Sequence, residues 1–386
     1  MNKRLASRLA HLSARKRLHA TVNPPIERAS TLLMSDLEAL HKDKPSYGRM
    51  GLAVHRELEA GLCALENANH AQLAPSGLAA CALAAASAVR AGDHMLVADN
   101  VYGPTRRFCQ RRLRAMGVET TFFDSGIGVG IADLIRDNTK AIYLEAPGSL
   151  TFEICDTPAI TALAKARNIT TIMDNTWGHG LAFRPLDHGI DISLQALTKY
   201  VVGHADAFGG AVLTNDKPHS TRVKAVATDW AITMPPDDAY LALRGLRTLV
   251  TRVAAHEAGG LDVANWLSAR DEVKRVLHPA LPEHPDHEIW KRDFHGANGL
   301  FGVLLHEMSD QAHKAFFEAL DMFSLGFSWG GYESLLLPAD PDMLRADDHW
   351  SKSETGRLLR IHVGLEAPED LIAELDQAFA AAAAVN

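Results

Sequence analysis

Apolar residues recur along this chain with two alternating periods. Arg56 to Asn67 reads as a helix, with Leu58, Leu62 and Leu65 on one face. Gln72 to Pro75 is a short strand, and Gly77 to Arg90 an Ala-rich helix. Strands follow at His94–Ala98, Glu119–Phe123, Ala141–Leu144, Thr170–Met173, Ile192–Leu197 and Gly210–Leu213, with helices at Thr105–Met116 and Ala159–Ala166 between them. Short apolar, β-rich runs alternating with helices imply βαβ units and a mostly parallel sheet covered on both faces. Ligands of such sheets bind beyond the carboxyl ends of the strands, so chemistry is sought there. From about residue 247 helical patterns dominate, with strands at Gly299–Leu305 and Leu358–His362 and an Ala-rich helix at Leu371–Val385. This reads as a second, smaller α/β domain, with His278–Pro285 a loop.

Composition narrows the class. A chain of 386 residues, 47% hydrophobic and 22% charged, is globular rather than disordered and long enough for two or three domains. Its formal charge of −8 is uneven. Lys3, Arg4, Arg8, Arg15, Lys16 and Arg17 precede the first acidic residue, Glu27, and the remainder is correspondingly more acidic. An acidic body argues against nucleic-acid binding, which needs a basic surface. Leu5, Leu9 and Leu12 share one helical face in the basic head. An Arg-rich amphipathic start resembles a transit peptide, but a basic arm lying on the acidic body is the preferred reading. Arg8, His11 and Arg15 interrupt any secretory core, and no run approaches the roughly 20 apolar residues of a membrane span. Cys63, Cys81, Cys109 and Cys155 form no Cys-x-x-Cys pair and read as small, reduced, buried side chains in a cytoplasmic protein.

Several motifs fail. Gly126-Ile-Gly-Val-Gly130 lacks the third glycine of a dinucleotide loop, because position 131 is Ile131. There is no Walker loop, and the histidines show no catalytic-zinc spacing, so no metal is expected. One pair stands out. Thr171-Ile-Met-Asp174 is an apolar strand ending in a carboxylate, and the strand starting at Ile192 runs to Lys199, 25 residues after Asp174. A lysine buried at such an edge must be neutral or paired. Pyridoxal phosphate (PLP) uses a lysine of this kind, with an aspartate on its pyridine nitrogen. A plain buried ion pair explains these two residues equally well. The neighbours tip the balance toward a cofactor. Tyr102 follows a strand and offers a ring for stacking. Ser76, Gly77 and Leu78 form a strand-to-helix turn suited to phosphate. Thr198 adds a hydroxyl, Tyr47 and Arg49 a phenol and a guanidinium, and Arg360 a fork for a carboxylate.

Over nearly its whole length the chain resembles the cysteine and methionine metabolism family of fold-type I PLP enzymes. The resemblance rests on Tyr47-Gly-Arg49, Asp174-Asn-Thr176, Thr198-Lys-Tyr200 with Gly203-His-Ala-Asp206, and Leu243-Arg-Gly-Leu-Arg247. Glu145-Ala-Pro-Gly-Ser149, Trp177 and Ser328-Trp329 resemble its β-lyase branch. The resemblance implies the α/β fold-type I PLP-dependent transferase fold: a mostly parallel seven-stranded sheet with helices on both faces, plus a smaller C-terminal α/β domain. It implies an arm at 1–50, a PLP-binding domain at 51–246 and a C-terminal domain at 247–386. Lys199 would hold the cofactor and shuttle protons, Asp174 would pair with the pyridinium, and Tyr102 would stack on the ring. Ser76, Gly77, Leu78 and Thr198 would hold the phosphate. Tyr47 and Arg49 would reach a neighbouring subunit's site in a homotetramer built as a dimer of dimers. Arg360 and Ser328 would take the substrate carboxylate, with Trp329 lining the pocket. Two departures stand out. Ala196 replaces a common hydroxyl, and Phe327 stands where γ-lyases tend to carry an acid. The implied reaction is β-elimination of the thioether cystathionine to homocysteine, pyruvate and ammonia. The alternatives are γ-elimination or γ-replacement, lysis of cysteine or other thioethers, and a cofactor-binding regulator without turnover.

Overall fold

The structure is a computed structural model describing residues 4–12, 21–41, 46–341, 345 and 355–385; Lys3, Arg15, Lys16 and Arg17 of the basic head lie outside them. Seven strands, β1 (His70–Ala74), β2 (His94–Ala98), β3 (Glu119–Phe123), β4 (Thr139–Glu145), β5 (Thr170–Asp174), β6 (Ile192–Gln195) and β7 (Gly210–Thr214), form one sheet in the order β1-β7-β6-β5-β4-β2-β3. The pairs from β6 to β3 are parallel, and β7 runs antiparallel to both β6 and β1. The central strands β2, β6 and β7 are buried along their whole length, β6 with Ile192 and Leu194 on one side and the polar Ser193 and Gln195 on the other.

Helices α1 (Leu5–Ala10), α2 (Ala53–Glu66), α3 (Gly77–Ala88), α4 (Gly103–Phe108), α5 (Thr157–Ala166), α6 (Lys217–Asp229) and α7 (Pro236–Ser268) follow in chain order. The single helix expected over Thr105–Met116 begins earlier, at Gly103, and passes into a π turn at Cys109–Leu113. The leucine face of the basic head is real. Leu9 is fully buried, and Leu5 and Leu12 pack against the same apolar cluster as Leu58, Leu62 and Leu246.

Small residues place α3. A Cβ on Gly77 would lie 2.5 Å from the Ala196 Cβ, and one on Gly210 2.3 Å from the Ser76 carbonyl oxygen. The start of α3 therefore sits directly on the segment between β6 and Lys199. The Ser76 side chain caps it, accepting from the Ala79 N–H at 3.2 Å.

The second sheet, β8 (Val273–Leu277), β9 (Leu300–Leu305), β10 (Leu335–Pro338) and β11 (Arg357–His362), is antiparallel in the order β10-β11-β9-β8. Helices α8 (His287–Asp293), α9 (Asp310–Glu318) and α10 (Pro368–Ala383) accompany it. Helix α7 has 33 residues and is about 50 Å long. Its Leu243, Leu246 and Leu249 belong to a core against the large sheet, whereas Val263, Ala264 and Leu267 belong to that of the small sheet.

Beneath the ends of β5 and β6 lies a fully buried carboxylate, Glu66. It accepts from Ser193 Oγ at 2.6 Å, Asn175 Nδ2 at 2.7 Å and Gln195 Nε2, and so ties α2 to the strand ends that carry the candidate chemistry. Burial raises its pKa, and the three donors oppose the rise. Glu66→Ala leaves those donors unsatisfied and is expected to lower the unfolding free energy by about 3 kcal/mol or more. Glu66→Gln should lose less, and urea denaturation of both variants measures the difference.

Candidate active site

Asp174 is the last residue of β5 and Lys199 lies in the turn four residues beyond β6. The strand at Ile192 thus stops earlier than its apolar run suggests, and Lys199 is carried by the loop. The Asp174 carboxylate is buried. Its Oδ1 accepts from the Thr176 N–H at 2.9 Å and Thr176 Oγ1 at 2.5 Å, while Cys81 Sγ lies 3.6 Å from Oδ2. Burial raises its pKa; the Thr176 and Cys81 bonds, and then the Lys199 charge, hold it down.

Burial, and then the Arg360 charge, lower the Lys199 ammonium to about 8, with Asp174 opposing. Lys199 Nζ donates to Ser328 Oγ at 2.7 Å and stands 5.1 Å from the centre of the Trp329 ring. Ser328 holds a left-handed backbone, φ 81°, unusual for a residue with a Cβ. Its carbonyl oxygen accepts from Arg360 Nη2 at 2.8 Å. Arg360 is lowered by burial to about 10, its Nε has no partner, and among the described residues no carboxylate pairs with it. A desolvated guanidinium in this state is a receptor for an anion.

Tyr102 caps α4 and its N–H donates to Glu145 Oε2 at 2.7 Å. Glu145 also accepts from Ser149 Oγ at 2.7 Å and stands opposite Asp174 in the β4–β5 register. Burial and the Asp174 charge push its carboxyl well above the usual carboxylate range. Burial likewise raises the Tyr102 phenol, and the Glu145 and Asp174 charges add to the rise.

The structure therefore gathers Asp174, Lys199, Tyr102, Arg360, Ser328 and Trp329 into one site. The start of α3, with Ser76, Gly77 and Leu78, borders it through Ala196. Thr198 is adjacent, but its hydroxyl exchanges hydrogen bonds with Gly209, donating at 3.2 Å and accepting at 3.1 Å. Tyr47 and Arg49 are not part of this cluster; both are exposed, Tyr47 bridging Thr31 and the Arg49 carbonyl accepting from Thr233. Trp177 is not in it either. It is buried between the sheets, donating to the Leu300 carbonyl at 3.0 Å. Phe327 points outward, 90% exposed. In the sequence Cys81 reads only as a small buried side chain, and Thr176, Glu145 and Ser149 only as members of motifs. The first carried an apolar reading, and the others needed the strand register to be placed.

These residues fit PLP. Opposite charges at Asp174 and Lys199 act on each other without forming an ion pair, and first-turn N–H groups of α3 open beside them. The pattern defining the family described as "Cys/Met metabolism PLP-dependent enzyme" matches residues 6–380. The chain belongs to this family. It is 46% identical over 374 residues to a putative cystathionine beta-lyase of Rhizobium johnstonii, covering 95% of this chain and 93% of the relative. To a cystathionine beta-lyase of Bordetella avium it is 42% identical over 373 residues, 94% and 93% of the two chains. The crystal structure of cystathionine gamma synthase from Xanthomonas oryzae pv. oryzae in complex with cystathionine superposes with a TM-score of 0.93 at 28% identity, over 100% of both chains. The fold is thus that of the fold-type I PLP enzymes, and PLP is the cofactor of this family member.

The charge balance can be tested without cofactor. In the cofactor-free protein the Lys199 amine should titrate at about 8. Arg360→Met removes a lowering charge and should raise that value, whereas Asp174→Asn removes a raising one and should lower it. NMR of isotope-labelled lysine reads all three.

Proposed function

We propose that this family member is a carbon–sulfur β-lyase that cleaves cystathionine to homocysteine, pyruvate and ammonia. The observation that carries the reading is the half-buried Arg360 without a carboxylate partner among the described residues, set beside Lys199 through Ser328. An α-amino acid presents a carboxylate next to an α-carbon, the two groups that an unpaired guanidinium and a neighbouring amine could address. The beta-lyase names of relatives at 46% and 42% identity support the choice of reaction.

In this reading Arg360 and Ser328 hold the substrate carboxylate, which places the Cα–H bond toward Lys199. Bound PLP supplies an electron sink for the pair left at the α-carbon. Asp174 holds the pyridine nitrogen protonated, Tyr102 stacks on the ring, and Ser76, Gly77, Leu78 and Thr198 receive the phosphate. With a pKa near 8, Lys199 is neutral in a useful fraction of molecules near neutral pH and can take the α-proton at Nζ. The Cβ–S bond then breaks, and the sulfur leaves with a proton as homocysteine. Water hydrolyses the remaining three-carbon fragment to pyruvate and ammonia. Trp329 lines the pocket wall.

The same reading makes residues 1–50 an arm on a neighbouring copy, 51–246 the cofactor domain and 247–386 the C-terminal domain, with the last boundary inside α7. The arm region leaves Val22, Leu33, Leu37, Tyr47 and Met50 exposed, as expected of side chains that a second copy covers. Tyr47 and Arg49 then complete the partner's phosphate site in a tetramer made of two dimers. A cytoplasmic location belongs to this reading; among the described residues no helix is long and apolar enough to cross a membrane.

Purified enzyme given cystathionine should release pyruvate. Release of 2-oxobutyrate would instead assign γ-elimination, the reaction class closer to the gamma synthase fold neighbour. Site sharing has its own test. Arg49→Ala and Lys199→Ala should each be nearly inactive, yet a refolded equal mixture should recover about a quarter of wild-type activity through hybrid dimers with one intact site. A mixture that stays as inactive as its components would remove Arg49 from the partner's site.

A further inference from the structure

Cys81 lies on α3 directly beneath the candidate cofactor site and is 2% exposed. Its sulfur is 3.6 Å from Asp174 Oδ2. The two oxygens of Asp174 are unequally loaded. Oδ1 takes two strong donors from Thr176, whereas Oδ2 takes only the thiol. A thiol is a weak donor. It stabilises the buried carboxylate while leaving Oδ2 free to accept a further, charged N–H. A hydroxyl would bind that oxygen more tightly, and an alkyl group would leave it with no donor.

The surroundings of the thiol fit a donor role. The Tyr143 and Thr105 hydroxyls, both fully buried, lie near the sulfur and have no hydrogen-bond partner. The acceptor that the thiol proton meets is Asp174 Oδ2. Burial and the Asp174 charge keep the thiol protonated far above neutral pH.

We propose that Cys81 is a positioning residue for the cofactor: its S–H fixes the Asp174 carboxylate and leaves Oδ2 as the oxygen that meets the pyridinium. This deepens the reading that Asp174 holds the ring nitrogen, and it rests on that reading. The titratable groups facing Asp174 are Cys81 from α3, Tyr143 and Glu145 from β4, Tyr102 at the start of α4 and Lys199 beyond β6. A substitution at Cys81 leaves the other four in place.

The test follows the visible absorption of bound cofactor in the holoenzyme as the pH is lowered. Without its thiol donor Asp174 holds a proton more strongly, so cofactor retention fails at a higher pH. Cys81→Ala should move this acid limb up by about half to one pH unit, equivalent to roughly three- to tenfold weaker retention at a fixed pH on the limb. Cys81→Ser, which restores a donor, should return the limb toward the wild-type position. Thermal unfolding of both variants separates this effect from loss of packing. An unmoved limb in Cys81→Ala, or a Cys81→Ser limb displaced as far as that of Cys81→Ala at equal thermal stability, overturns the proposal. Asp174→Asn tells the two levels apart. If it keeps the wild-type limb, the assignment of Asp174 fails and the role of Cys81 falls with it. If Asp174→Asn loses the cofactor while Cys81→Ala behaves as wild type, only the role of Cys81 fails.

Discussion

The structure turns on holding opposite charges out of water at the carboxyl edge of one parallel sheet. A carboxylate and an ammonium removed from solvent are each costly, and an ion pair between them would be the simplest remedy. Here they are kept apart. Asp174 is satisfied by Thr176 and Cys81, and Lys199 by Ser328, so each retains reactivity that direct pairing would quench. The lowered proton affinity of Lys199 and the raised one of Asp174 both follow from burial, and the attraction between the two charges opposes both shifts.

Much of the fold serves to keep that separation. Small residues at Gly77, Ala196 and Gly210 let α3 settle onto the lysine loop. Glu66 clamps the ends of β5 and β6 from below. Helix α7 runs from the core of the large sheet into that of the small one, which carries Arg360 on β11. The loop at Ser328 closes the site by touching both Lys199 and Arg360. The guanidinium from the small sheet and the amine from the loop after β6 thus meet at one serine.

Most of the large sheet was legible because strands buried on both faces are nearly continuous apolar runs between turn residues. The expected bounds of β2 and β3 coincide with those observed. Strands β8 and β10 were not legible. Val273-Lys-Arg-Val-Leu277 is interrupted by two charges, and Leu335–Pro338 is four residues ending in proline. At the site, Asp174, Lys199 and Tyr102 could be found because each carries chemistry at or shortly beyond a strand end, and Arg360 because a guanidinium interrupts the apolar run of β11. Cys81 and Glu66 could not. One sits in a helix of small apolar residues, the other at the end of an amphipathic helix where a carboxylate normally faces water. Only packing shows that both turn inward.

The central claim is that Lys199, and not another lysine, is the residue this site was built to present. Borohydride reduction of the holoenzyme followed by peptide mass mapping tests it directly. The account predicts that the reduced cofactor is found on the peptide holding Thr198-Lys199-Tyr200 and nowhere else. Label on a different lysine, or an unlabelled Lys199 in an active preparation, would contradict it.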